Sequence, residues 1–590
     1  MQRFELDSVS LYNSFVSGGK EIIRKHEEIN KINVFPVADG DTGTNLAMTM
    51  GTLIERSGPR STAGETLRSM ADAALSGARG NSGIIFAQFI LGLSESIGES
   101  VSVSCEAFAL AAKNAEKRAR EAVIEPVEGT ILTVMKDWAR ALDEHKHLRD
   151  FGLIFQNTLG GVKKSLDNTP NLLPVLKKAH VVDAGAEGFF RFLSGATKYL
   201  VSEANGLETD PSDGLVDLPP SVHGGEYPVF RYCTEVFIRG EGIDLGGLRK
   251  ELGSFGDCAI AAGGGDKVRV HVHTDHPARV VARLSSYGTV REQKVDDMLR
   301  EYEVAHSRKY PIALVTDSVC DLPKDLLDKY QIHVVPLNII LGGAQYLDGL
   351  TISSEGIYEG MEAHGPYPTT SQPSPAAFKL LYSFLATYYE SIIAIHVSGK
   401  LSGTCGLSAR EAALLPSKRV TVIDSRNNSG SQALIVLRAA ESIAAGKSHD
   451  EVVASVRSFI PKARIFVGVP TLKYMVKGGR VSPLKAAFAQ LLNLKPIVSL
   501  DEEGGSKLHG QAFSTRRNLG KIIELAEEFI GEDELRYCGI VHAGNLEEAK
   551  GFASRVEASL GKKPLFIQEI SPIIALNAGK NTLALVLMKE

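Results

Sequence analysis

At 590 residues the chain is too long for one hydrophobic core, so three or four domains are expected. Its 44% hydrophobic and 23% charged content is that of an ordinary soluble protein, and a net charge of -5 argues against a general nucleic-acid binder. Six scattered cysteines without close pairs suggest no disulfide framework and a reducing, cytoplasmic setting. The first residues carry no apolar signal core, and the longest apolar stretch, around Ile84–Leu93, is interrupted by Gln88 and Gly92 and too short for a bilayer.

Residues 1–203 read as successive amphipathic helices with little strand-like alternation, so an all-α domain is expected. The apolar pattern begins at Leu11, Phe15, Ile22, Ile23 and Ile29, and continues in Ala-rich helices around Thr66–Ala78, Cys105–Ala122 and Gly152–Leu166. Between the first two helices stands Asn33-Val-Phe-Pro-Val-Ala-Asp39-Gly40-Asp41-Thr42-Gly43-Thr44-Asn45. Asp and Gly disfavour helix, so this is a loop, ahead of a helix expected to begin near Thr44. Two carboxylates two residues apart repel unless a cation separates them, and hard oxygen ligands suit Mg²⁺ shared with substrate phosphates. The other reading of Asp39 and Asp41 is an acidic turn at a helix start.

Three more loops follow. Gly77-Ala-Arg79-Gly80-Asn81-Ser82-Gly83 precedes an apolar helix whose N-terminal N–H groups suit phosphate. Glu125-Pro126-Val-Glu128-Gly129-Thr130 opens another helix, and Val182-Asp183-Ala-Gly185-Ala-Glu187-Gly188 precedes the last. In order, the four loops resemble the DhaL-type kinase domain, the ATP-binding part of dihydroxyacetone kinases and of bacterial fatty acid kinase A. The resemblance implies Mg²⁺ held by Asp39 and Asp41, with Asn33 where the dihydroxyacetone branch has a further Asp. It implies nucleotide contacts from Thr42, Thr44, Asn45, Gly80, Asn81, Ser82, Thr130 and Asp183. Glu125 stands where the family has Lys, which weakens any phosphate role at that position.

Residues 204–228 are rich in Pro, Gly, Asp and Ser and read as a linker. A small α+β domain over 229–308 comes next, with a strand through Cys233, a helix near Leu245–Leu252, a strand Val268–Thr274 and a helix from Pro277. His271 and His273 alternate onto one face of their strand. With Cys233 on a neighbouring strand they read either as a polar sheet face with Cys233 a small core residue, or as a zinc set of one thiolate and two imidazoles. Tyr-Cys-Thr-Glu and His-x-His-Thr resemble the middle domain of fatty acid kinase A, which implies that Cys233, His271 and His273 ligate metal.

From Tyr310, apolar strand-like runs alternate with helices: Ile312–Thr316, His333–Leu341, Ile392–Val397 and Val420–Ile423, then Arg464–Val469, Lys495–Leu500, Tyr537–His542 and Leu565–Ile567. This predicts an α/β domain over 309–590 in two lobes, about 309–455 and 456–590. Thr316-Asp-Ser, Thr369-Thr370-Ser371-Gln372-Pro, Leu401-Ser402-Gly-Thr and Gly478-Gly-Arg480-Val-Ser resemble, in order, the DegV family of fatty-acid-binding proteins. The resemblance implies an acyl tunnel, carboxylate contacts from Thr370, Ser371 and Ser402, and Arg480 near the phosphate end. Asn577 replaces the family's closing His; it can donate a hydrogen bond but carries no charge.

Together these readings describe a fusion of a DhaL-like kinase, a middle domain and a DegV-like lipid holder. The function it implies is transfer of the γ-phosphate of Mg-ATP to the carboxylate of a fatty acid. Burying about 15 methylenes is worth roughly 12 kcal/mol, so such a substrate needs a protein tunnel. A kinase for a small hydroxy-ketone and a non-enzymatic lipid carrier or sensor are the alternatives. A homodimer and peripheral membrane contact are further expectations.

Overall fold

The computed structural model describes residues 4–36, 40–204, 227–264, 266–362, 366–415, 419–479 and 494–590. Asp39, Arg480 and residues 205–226 of the expected linker lie outside them. The chain forms two compact units, Met1–Tyr302 and Glu303–Glu590.

The first unit opens with helices α1 (Ser8–Asn30), α2 (Thr42–Arg56), α3 (Ala63–Gly77), α4 (Gly80–Ile97), α5 (Cys105–Ala122), α6 (Ile131–His145), α7 (Phe151–Leu172), α8 (Pro174–Ala179) and α9 (Ala184–Ala204). A two-residue antiparallel ribbon, Glu5–Leu6 with Val103–Ser104, and an isolated antiparallel bridge from Val123 to Ile260 depart from an all-helical layer. Caps set several boundaries. Asp7, Thr62, Ser104 and Asp150 accept backbone N–H groups at the starts of α1, α3, α5 and α7. The Thr62 cap starts α3 ahead of Thr66, where the apolar pattern alone places it. The core is aromatic at its centre: Trp138 lies among Phe89, Phe108, Phe155 and Phe189, with ring centroids 5.6–6.2 Å away.

The rest of this unit is a four-stranded antiparallel sheet with helices in the order β-α-β-β-α-β. Its strands are Tyr232–Arg239, Asp257–Gly264, Lys267–Thr274 and Thr289–Asp297, named βA, βB, βC and βD in chain order, and the sheet order is βB-βC-βA-βD. This is the split-βαβ arrangement of ferredoxin-like folds. Its helices are α10 (Leu245–Leu252) and α11 (Pro277–Leu284). Alternation divides the sheet sharply. Val236, Ile238, Val268, Val270 and Val272 occupy the face opposite to that of Cys233, Glu235, His271 and His273. The polar face also carries Phe237, Ile260 and Ala262, which join the hydrophobic core of the helical layer. Helical and middle regions thus share one core.

In the second unit a parallel sheet runs Arg419–Asp424, Ser391–His396, Ile312–Asp317, His333–Val335. A six-stranded, mostly antiparallel sheet runs Ser506–Ala512, Lys495–Leu500, Ala463–Gly468, Leu583–Lys589, Leu535–His542, Ile567–Glu569. The expected single strand His333–Leu341 is two strands in different sheets. Pro336 lacks an N–H and interrupts the ladder, and Asn338–Leu341 pairs instead in a three-stranded antiparallel sheet with Ala344–Leu347 and Thr369–Ser371. No described helix is long and apolar enough to cross a membrane, and all six cysteines are free.

Candidate functional site

The middle sheet places six side chains in a grid. Antiparallel register sets Cys233 of βA opposite His273 of βC and Asp296 of βD; two residues on, Glu235 faces His271 and Lys294. All six line one pocket of about 40 Å³, together with Asn33, Asp41, Thr42, Asn45, Gly80, Asn81 and Ser82 from the helical layer. The expected phosphate loop and the expected zinc residues, distant in sequence, therefore face each other across a single cavity.

Glu235 joins the two walls. One oxygen accepts the backbone N–H of Gly80 at 2.7 Å; the other accepts Arg79 at 2.9 Å and the buried Arg269 at 3.0 Å. Burial alone would raise this carboxyl. His271 and the cations Arg79, Arg269 and Lys294 outweigh burial and hold it well below its ordinary range. Lys294 shows the same balance with the opposite sign: burial favours loss of its proton, but Asp296 at 2.5 Å and Glu235 outweigh it and keep the ammonium charged.

The donor set fits zinc. Donor atoms of buried Cys233, His271 and His273 lie within 4.8 Å of one another, with His271 Nδ1 3.8 Å from Cys233 Sγ. Asp257 stands 3.2 Å from His273 Nδ1, placed to accept its N–H and leave the other nitrogen for a cation. Burial, then the carboxylates of Glu235 and Asp296, push the Cys233 thiol well up, so metal entry must displace its proton.

The helical wall suits a phosphate. Gly80 opens α4 at φ +58°, and a Cβ there would lie 2.5 Å from Asn45 Nδ2, so only glycine serves. Gly80, Asn81 and Ser82 of the α4 N-terminus line the pocket, where Asn81 Oδ1 is buried without a hydrogen-bond partner. Asp41 accepts Asn45 Nδ2 at 2.7 Å, and Asn33 accepts the Thr42 hydroxyl. Asp41 and Asn33 give the pocket the oxygen donors that Mg²⁺ prefers. Helix α2 begins at Thr42, two residues before Thr44, because the acidic turn already has helical dihedrals at Asp41.

Three expected nucleotide residues are not among those lining this pocket. Thr44 is buried against Asn30, which donates to its hydroxyl at 2.8 Å. Thr130 begins α6 with its hydroxyl on the Val127 carbonyl. Asp183 accepts the Ala186 N–H at 2.8 Å, and burial pushes its carboxyl up to about 7. Its segment still reaches the phosphate loop: a Cβ on Gly185 would lie 2.9 Å from Ser82 Oγ. Lys294 and Asp296 escaped sequence reasoning because βD, Thr-Val-Arg-Glu-Gln-Lys-Val-Asp-Asp, is too charged to signal a strand.

The second unit holds a cavity of about 540 Å³. Thr370, Ser371, Ser402 and Asn577 line it with apolar Val397, Ile465, Val467, Met475 and Ile574. Ser402 follows the carboxyl end of the parallel strand Ser391–His396, beside the point where chain order reverses against Ile312–Asp317, while Thr370 and Ser371 come from the antiparallel strand Thr369–Ser371 and Asn577 from the helix Pro572–Ala578. Ser402 Oγ lies 2.8 Å from Thr404 Oγ1 at a helix start. Asn577 spends one N–H on the Ile573 carbonyl at 2.9 Å. Two buried carboxyls hold this wall: Asp321 accepts the Ser571 N–H at 2.7 Å, and Asp348 that of Ile573 at 2.9 Å.

Comparison with known families divides the chain along the same lines. Residues 36–198 match the DAK2 domain, 229–305 the middle domain of proteins like fatty acid kinase A, and 311–590 the DegV family of uncharacterised proteins. The chain is thus a fusion of a DAK2 region, a middle domain like that of fatty acid kinase A and a DegV domain. An uncharacterized protein of Staphylococcus epidermidis is 33% identical over 332 residues, which are 52% of this chain and 60% of that protein. One of Staphylococcus saprophyticus is 33% identical over 310 residues, 50% of this chain and 56% of that protein. The chain spans little more than half the length of these relatives. A DegV domain-containing protein of Clostridium acetobutylicum is 32% identical over 282 residues, 47% of this chain and 99% of that protein. Among solved structures, a DegV family protein from Thermus thermophilus described as binding fatty acid is 30% identical, with a TM-score of 0.44, over 48% of this chain and 100% of that one. The chain belongs to the DegV family through its C-terminal half.

Proposed function

We propose that this protein is a fatty acid kinase that transfers the γ-phosphate of ATP to the carboxylate of a fatty acid held in its DegV domain. The observation that carries the reading is the meeting of Asp41, the Gly80–Ser82 helix start and the Cys233–His271–His273 set in one pocket. The large cavity of the second unit, apolar with hydroxyls at Thr370, Ser371 and Ser402, supports an acyl chain with a polar head group.

In this reading the α4 N-terminus and Asn81 hold nucleotide phosphates. Asp41 and Asn33, with Asp39 beside them in the sequence, hold Mg²⁺. Mg²⁺ and zinc supply fixed positive charge against the triphosphate when bound. A carboxylate oxygen attacks the γ-phosphorus as the bond to the β-bridging oxygen breaks, giving acyl phosphate and ADP. The acceptor is already ionised, so the chain needs no strong general base; positioning and charge stabilisation do the work. Joining both domains in one chain replaces a bimolecular meeting of lipid holder and kinase with a high effective concentration.

The test is ADP release from Mg-ATP with oleate, palmitate or dihydroxyacetone added separately, and hydroxylamine present to trap acyl phosphate. ADP and hydroxamate that form only with fatty acid and vanish in Asp41→Ala are the expected result. ADP with dihydroxyacetone alone would move the substrate class; no turnover despite bound nucleotide and lipid would favour a carrier.

A further inference from the structure

We propose that Lys294 binds the γ-phosphate of the nucleotide, a role that rests on the kinase reading above. Among the described residues lining the pocket, Lys294 is the single Lys or Arg, against the carboxylates of Asp41, Glu235 and Asp296. A triphosphate entering such a wall meets net repulsion unless cations oppose it.

The other nearby cations are committed elsewhere. Arg79 and Arg269 both bond Glu235, at 2.9 and 3.0 Å, and the same carboxylate takes the Gly80 N–H. Glu235 is therefore satisfied without Lys294. Lys294 forms an ion pair with Asp296 at 2.5 Å, and an ammonium has three donors.

Position follows from the ladder. Lys294 is the cross-strand neighbour of Glu235, and adjacent strands lie about 4.8 Å apart. Glu235 touches Gly80, and its cross-strand neighbour Lys294 lines the same pocket as the helix start that would hold phosphate. It also lies on the zinc side of the pocket, across from Asp41. A lysine there serves as a point charge on the terminal phosphate, whose equatorial oxygens share the charge of the transition state.

The test is equilibrium binding of Mg-ADP and of Mg-complexed adenylyl imidodiphosphate, a non-hydrolysable triphosphate, to the full chain, with zinc content measured alongside. In Lys294→Met the triphosphate is expected to lose roughly 10- to 100-fold in affinity, as for loss of a charged hydrogen bond, while ADP and zinc stay as in the wild type. Lys294→Arg should restore part of the loss. Asp296→Asn leaves the ammonium in place and should keep the preference for triphosphate. Equal weakening of both nucleotides, no weakening of either, or an Asp296→Asn that behaves as Lys294→Met would overturn the proposal, because each makes the pair purely structural. If Lys294→Met does not fold, the Arg and Asp296 variants decide. A wild-type chain that binds neither nucleotide would instead overturn the kinase reading, and the role of Lys294 with it.

Discussion

Glu235 accepts the backbone N–H of Gly80 at 2.7 Å across 155 residues of sequence, and so ties the start of α4 to the sheet that carries Cys233, His271 and His273. The same carboxylate is the counter-charge of Arg269, one of the largest fully buried side chains in the protein. Glu235→Gln keeps an acceptor for Gly80 but leaves a buried guanidinium without its partner. Breaking one side of a buried pair costs about 3–5 kcal/mol. The one tryptophan of the chain, Trp138, is buried in the helical core, so its fluorescence reports this unit alone. Denaturant unfolding followed at Trp138 should show that loss in Glu235→Gln. A Glu235→Gln, Arg269→Met double variant, which keeps an acceptor for the Gly80 N–H and removes the orphaned guanidinium, should recover much of it. A single variant as stable as the wild type would mean that the network is not what holds the two regions together.

The proposed zinc set of Cys233, His271 and His273 carries its own pH dependence. Cys233 sits far above its ordinary thiol value through burial and the neighbouring carboxylates Glu235 and Asp296, so it enters the metal-free pocket as a neutral thiol. Binding then releases its proton, and affinity should rise about tenfold per pH unit between pH 7 and 8.5. Chelator competition across that range measures the slope. Cys233→Ser should bind far more weakly, with a flatter dependence. A slope near zero in the wild type would remove the thiolate from the ligand set.

How far the sequence reached can be traced at particular residues. The Asp-Gly-Asp and Gly-Asn-Ser turns were legible because Gly and Asp punctuate helices wherever they fall, and their order carried the family resemblance. Their partners across the pocket were not. Glu235, Lys294 and Asp296 meet only through strand register, which is fixed by pairing and by the bulge between Phe237 and Ile238. βB, rich in Ala and Gly, and βD, rich in charge, both lack the β-branched alternation that marks a strand. At His333–Leu341 the apolar run was visible, yet Pro336 inside it already forbade one continuous strand.

Asp183 should make the helical core pH-sensitive. Burial outweighs its bonds to backbone N–H groups and raises its carboxyl to about 7, from about 3.9 when unfolded. A raised acid holds its proton in the fold, so its contribution is full below pH 4 and is lost as pH climbs to 7. Asp183→Asn removes this term. The stability of Asp183→Asn relative to the wild type, read at Trp138, should therefore rise between pH 4 and 7 and level off above. A difference that does not change with pH would place the carboxylate, charged, in solvent contact.

The lipid cavity admits a test that leaves the nucleotide pocket alone. Ile574 is half-buried on the helix Pro572–Ala578 and lines the cavity, whose volume of about 540 Å³ sits in the range of small-molecule pockets. Trp at this position adds an indole to that space without disturbing the Ile573 N–H that Asp348 holds. Displacement of a fluorescent fatty acid should show weaker binding in Ile574→Trp by at least tenfold, since each methylene kept from burial costs about 0.8 kcal/mol. Hydroxamate formation at limiting fatty acid should fall in parallel, with nucleotide affinity and zinc content unchanged. If lipid binding fell while phosphoryl transfer to fatty acid continued at full rate, the cavity would hold a lipid other than the substrate.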